Sequence, residues 1–62
     1  MKILYTIPAK NGRKIEIYQF ASGNYARLVD NDGFVFADSR DQSMLNGGTL
    51  QSALKFAYDF IN

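Results

Sequence analysis

Residues 14–30 read KIEIYQFASGNYARLVD, two alternating apolar runs around a short polar break. Alternation with a period of two is the mark of a half-buried strand, and a Gly-Asn pair between two such runs marks a hairpin. A four-residue loop, Ala21-Ser22-Gly23-Asn24, pairs Phe20 with Tyr25, Tyr18 with Arg27, and Ile17 with Leu28. Successive side chains point to opposite faces, so Ile15, Ile17, Ala26 and Leu28 share one side of the hairpin. Glu16, Tyr18, Phe20, Tyr25, Arg27 and Val29 share the other.

Two further turn signals extend this hairpin into a sheet. Asn31-Asp32-Gly33 reads as a three-residue loop with glycine in the left-handed position, which pairs Leu28 with Phe36 and adds Phe34 and Phe36 to the Ile17 face. Asn11-Gly12 most often makes a two-residue turn, but that register would set Ile7 against Glu16. A one-residue slip flips every side chain, so the hydrophobic pattern decides. It selects a three-residue loop, Lys10-Asn11-Gly12, with Ile7 opposite Ile15 and Tyr5 opposite Ile17.

The rest of the chain supplies a lid. From residue 49 to 61 the apolar side chains Leu50, Ala53, Leu54, Ala57, Phe60 and Ile61 recur at helical spacing, with Phe56 and Tyr58 flanking them. Thr49 is placed to cap this helix, after Gly47-Gly48. The expected fold class is α+β: a four-stranded antiparallel meander, β1-β2-β3-β4, with one C-terminal helix on one face in a two-layer sandwich. Strands fall at about 2–7, 14–20, 25–30 and 34–38, and the helix at about 49–61, in a single compact domain over residues 1–62. The expected core is Ile3, Tyr5, Ile7, Ile15, Ile17, Leu28, Phe34 and Phe36 beneath the helical stripe. The connection from Asp38 to Gly48 is long, and Met44 and Leu45 are its apolar candidates for tucking under the sheet edge.

Composition narrows the function. The 62 residues include no Cys and no His, so disulfides and the usual zinc frameworks are excluded. At 47% apolar the chain has enough hydrophobic material for a core. It lacks an apolar run of the roughly 20 residues that a membrane span needs. The expectation is a soluble cytoplasmic protein with no cofactor, no metal and no membrane partner. Asp30-Asn31-Asp32-Gly33 echoes the start of a calcium loop but lacks the later ligands, and it is explained as a turn. Serine and threonine nucleophiles have no evident activating base, and the expectation is that the chain is not an enzyme.

Charge is asymmetric. Residues 1–27 hold Lys2, Lys10, Arg13, Lys14 and Arg27 against Glu16, while residues 28–62 hold Arg40 and Lys55 against five aspartates. One helix covers one side of a sheet, which leaves Tyr18, Phe20, Tyr25, Arg27, Val29, Lys14 and Lys2 on an uncovered aromatic and basic side. Aromatics with arginine are the residue types that dominate interface hot spots. These seven are the candidate partner-binding residues, with Tyr18 and Arg27 expected to stack across the ladder.

The run Tyr25-Ala26-Arg27, then Asn31-Asp32-Gly33, then a capped helix resembles the arm-type DNA-binding domains of tyrosine recombinases, over about half the chain. That likeness implies a sheet laid in the major groove, although Asp30, Asp32, Asp38 and Asp41 depart from the basic pattern of those domains. A short cysteine-free chain of this architecture is also similar to phage and mobile-element accessory proteins, anti-CRISPR inhibitors among them. The expected function is a non-catalytic protein-binding module of inhibitor or accessory type that docks through the aromatic side. A nucleic-acid binder using the same side, and a homodimer, are the alternatives.

Overall fold

The computed structural model describes residues 1–42 and 48–61. Strands β1 (Lys2–Pro8), β2 (Lys14–Phe20), β3 (Gly23–Val29) and β4 (Val35–Asp38) form an antiparallel sheet in the order β1-β2-β3-β4. Helix α1 (Leu50–Ile61) packs on it, chiefly against β3 and then β2. The α+β meander with one C-terminal helix is therefore the architecture of the chain. Thr49 caps the helix as its position suggests, its Oγ1 accepting a hydrogen bond from the backbone N–H of Ser52 at 3.0 Å. Met44 and Leu45 lie outside the described residues.

The first turn takes the register that the hydrophobic pattern selects. Ile7 stands opposite Ile15 and Tyr5 opposite Ile17, and Lys10–Gly12 form a short 3-10 turn. The loop closes through Ala9 N–H donating to the carbonyl of Arg13 at 2.9 Å, with Asn11 in the left-handed region at φ 63°. Farther along β1 a bulge between Ile3 and Tyr5 breaks the alternation. Leu4 thereby joins the core, while Ile3 moves opposite Tyr18 and is exposed. Lys2 comes to pair with Gln19, which takes it off the side carrying Tyr18.

The second turn is tighter than its sequence suggests. Phe20 pairs with Gly23, Tyr18 with Tyr25, Ile17 with Ala26 and Ile15 with Leu28, so the loop is Ala21-Ser22 alone. The shift from the expected pairing is two residues, which preserves every face but changes every partner. Gly23 is consequently a strand residue, and its missing side chain serves another purpose. The backbone of Gly48 passes so close that a Cβ at residue 23 would sit 2.5 Å from the Gly48 carbonyl oxygen. That carbonyl accepts a hydrogen bond from Asn24 N–H at 2.8 Å, and two residues along, Ala26 N–H donates to Ser39 Oγ at 2.9 Å. A loop carbonyl and a serine hydroxyl thus continue the ladder beside β3 where the short β4 does not reach.

The third turn closes over Asn31-Asp32-Gly33 as expected, with Gly33 at φ 87°. Asp30 Oδ1 accepts from both Asp32 N–H and Phe34 N–H at 2.9 Å, which fixes the turn locally. Val29 then pairs with Val35, but Leu28 pairs with Ala37 rather than Phe36, because a second bulge intervenes. Ala37 takes the inward position, and Phe34 and Phe36 are exposed (61% and 43%), not core residues. The bulge has a clear physical gain. Strict alternation from Phe34 and Phe36 would turn Asp38 toward the core; the extra residue puts it opposite Arg27 on the other side.

The buried cluster is Ile15, Ile17, Ala26 and Leu28 beneath Ala53 and Ala57, with Leu4, Ile7, Ala9, Ala37, Phe56 and Phe60 packed around it. Three alanines at this contact let the helix lie close to the sheet. Burying Ile15, Ile17 and Leu28 contributes about 1.5–3 kcal/mol each. The helix is rotated toward Phe56, whose ring meets that of Phe60 at 5.2 Å. Leu50, Leu54, Ile61 and Tyr58 are therefore exposed along one flank, and Tyr5 is 58% exposed on β1, which the helix hardly reaches.

Candidate binding surface

The side of the sheet away from the helix brings together most of the residues expected there. Tyr18 faces Tyr25 with ring centroids 5.7 Å apart, and Arg27 holds its guanidinium 5.3 Å from the Tyr18 ring. Arg27 faces Glu16 rather than Tyr18 across the ladder, and its Nε donates to Glu16 Oε1 at 2.7 Å. Lys14 reaches the same carboxylate at 3.8 Å.

This side is closed, however. Tyr18, Tyr25 and Val29 are buried, at 1%, 3% and 2% exposure, so they present no surface to a partner. The described ends of the connection between β4 and the helix are anchored here. Tyr18 donates its hydroxyl proton to Asp38 Oδ1 at 2.6 Å, and the same oxygen accepts from Arg40 N–H at 2.9 Å. Arg40 lies 4.7 Å over the Phe20 ring, Tyr25 shares a hydrogen bond with Ser22 Oγ at 2.6 Å, and Gly48 abuts the Tyr25 ring. Burial first, then the hydrogen bond to Asp38 and that carboxylate's charge, hold the Tyr18 phenol protonated far above the ordinary tyrosine range. The aromatic cluster is thus a satisfied internal network. Of the seven candidate residues only Phe20 (43%) and Lys2 are exposed, with Lys14 and Arg27 partly so, and Lys2 lies on the other side.

A different aromatic group does face solvent. Phe36 and Phe34 meet edge to face, centroids 4.9 Å apart, and the Arg13 guanidinium lies 3.7 Å over the Phe36 ring. Arg13 comes from the β1–β2 turn and the phenylalanines from the β4 bulge, so two irregularities in the sheet assemble this group. Its guanidinium has no hydrogen-bond acceptor and no carboxylate partner among the described residues. Beside it opens a cleft of about 160 Å³ lined by the apolar residues Ala9, Leu28 and Phe60 together with Lys10, Asn11, Arg13 and Asp59.

Sequence reasoning placed Phe34 and Phe36 in the core and gave Arg13 no role. The available signal was Asp38: an aspartate in phase with two inward phenylalanines requires a bulge between them. Among the described residues no group of three acidic side chains is arranged to hold a metal, and no helix is long and apolar enough to cross a membrane. Compared with protein-family models, curated proteins and solved structures, the chain finds no match in any of the three.

Proposed function

We propose that this chain is a non-catalytic protein-binding module, of inhibitor or accessory type, whose contact surface is the Arg13–Phe36–Phe34 group rather than the flat side of the sheet. The observation that carries this reading is an exposed, edge-to-face phenylalanine pair beneath an arginine that has no hydrogen-bond or ion-pair partner among the described residues. Aromatic rings held rigid by one another offer contact area at low entropic cost, and arginine adds a directional fork for a polar group.

The test is affinity capture with the native chain and with Phe34→Ala/Phe36→Ala, a pair whose exposure predicts an unchanged fold. A protein retained by the first and lost by the second supports the reading. A partner that survives the double substitution but is lost on Phe20→Ala moves the surface elsewhere. A second reading, single-stranded nucleic acid, draws on the same phenyl rings as stacking platforms with Arg13, Lys10 and Lys14 at phosphates. Binding to an oligonucleotide that weakens steeply with salt favours it, whereas the carboxylates of Asp30 and Asp32 in the turn before Phe34 and of Asp59 on the cleft oppose it. Self-association through Leu50, Leu54, Tyr58 and Ile61 is read by light scattering across a concentration series.

A further inference from the structure

We infer that the cleft beside Arg13 is a recognition pocket for a carboxylate carried next to an apolar side chain, as on an acidic segment of a partner protein; this rests on the protein-binding reading above. Three observations converge on it. The cleft is open, about 160 Å³ in volume, and its mixed lining includes the apolar residues Ala9, Leu28 and Phe60 beside Asn11 and the charged groups. The rim carries Lys10 and Arg13 against the single carboxylate of Asp59, an excess of one positive charge, and no ion pair joins Asp59 to either cation. The Arg13 guanidinium carbon lies 3.7 Å from the Phe36 ring centroid, and its N–H donors have no acceptor among the described residues.

Charge and shape together select the occupant. A guanidinium with a free edge binds a carboxylate through two parallel N–H···O bonds, and a fixed plane loses less freedom on doing so. The rim's net positive charge attracts a carboxylate and a phosphate alike, so the preference for a carboxylate comes from the hydrocarbon carried beside it, which Ala9, Leu28 and Phe60 can contact. The same contact distinguishes a carboxylate bearing a phenyl or branched aliphatic group from acetate.

The experiment is a titration of the 15N-labelled full chain, reading the backbone amides and the Arg13 Nε–H, with three probes. N-acetyl-phenylalanine carries the carboxylate beside a benzyl group, N-acetyl-phenylalanine amide lacks only the charge, and inorganic phosphate lacks the apolar part. The acid is expected to shift Arg13 Nε–H, the amides of residues 10–13 and that of Phe60, binding about tenfold more tightly than the amide. Arg13→Gln should reduce the acid to the level of the amide, and Asp59→Asn should tighten it. Equal binding of acid and amide, shifts elsewhere in the fold, or phosphate binding more tightly than the acid would each overturn the inference. Where discrimination fails but capture still depends on Phe34 and Phe36, the surface stands and the occupant is wrong; the converse pattern sinks the surface and keeps the pocket.

Discussion

Three arginines among the described residues lie over aromatic rings, and the surroundings of two of them, Arg27 and Arg13, could hardly differ more. Arg27 sits by Tyr18 with its Nε bonded to Glu16, inside a network in which Asp38, Ser22 and Arg40 engage the neighbouring aromatic groups. Arg13 sits on Phe36 with no acceptor for its donors among the described residues and a cleft at its side. Composition cannot tell them apart. What separates a structural aromatic cluster from a recognition surface is whether its polar edges are already satisfied.

That comparison can be broken most forcefully at the seam closing the Tyr18 side. Gly23→Ala drives a Cβ into the Gly48 carbonyl, a backbone atom that cannot step aside, and should cost about 3 kcal/mol in urea denaturation. Gly33→Ala meets no neighbouring atom and carries only the strain of a positive φ, about 1 kcal/mol. Equal costs would mean that the Gly23–Gly48 approach contributes nothing.

Tyr18→Phe comes next. It deletes the bond to Asp38 and should cost about 1.5 kcal/mol near neutral pH, with ligand binding at the Arg13 cleft unchanged. It also has a pH signature. The unfolded phenol titrates near 10.0 while the folded one titrates higher, so above that pH the unfolded state sheds a proton that the folded state keeps. This contribution to stability is intact below pH 10 and is lost as pH rises beyond it. Stability measured from pH 8 to 11 should fall more steeply for the native chain than for Tyr18→Phe; parallel curves would remove the Asp38 bond from the account.

The smallest effects sharpen the contrast between the arginines themselves. Arg27→Ala breaks a half-sheltered ion pair and should cost about 1 kcal/mol. Arg13→Ala gives up one half-exposed stacking contact and should cost about 0.5 kcal/mol or less, while abolishing the proposed carboxylate recognition. If Arg13→Ala destabilises as much as Arg27→Ala, Arg13 is a structural residue after all.

Much of the architecture was legible because alternation and turn residues agree. Ile15, Ile17, Ala26 and Leu28 lie on the face read from residues 14–30, and the Ile7–Ile15 pairing follows from refusing to place Ile7 against Glu16. The proposed binding surface was not legible, for a specific reason. Face assignments by parity fail at a bulge, and both bulges lie in strands whose apolar runs fit two phases, Ile3-Leu4-Tyr5 and Phe34-Val35-Phe36. Each inserted residue turned a side chain presumed buried out to solvent. Nor does parity say whether a sheet side left by the helix is covered by something else, which is how Tyr18 and Tyr25 came to be read as exposed.

The contact between Gly23 and Gly48 also bears on the order in which the chain assembles. It joins a hairpin tip to a residue just before the helix and far along the chain, and the loop-closure cost of so distant a pair favours its forming late. Interactions that form after the rate-limiting step set how fast a protein comes apart, not how fast it folds. Gly23→Ala should therefore raise the unfolding limb of the chevron and leave the refolding limb nearly where it was. The absence of two methyl groups would then act as a latch on the lifetime of the native state, and a slowed refolding limb would instead place the latch inside the nucleus.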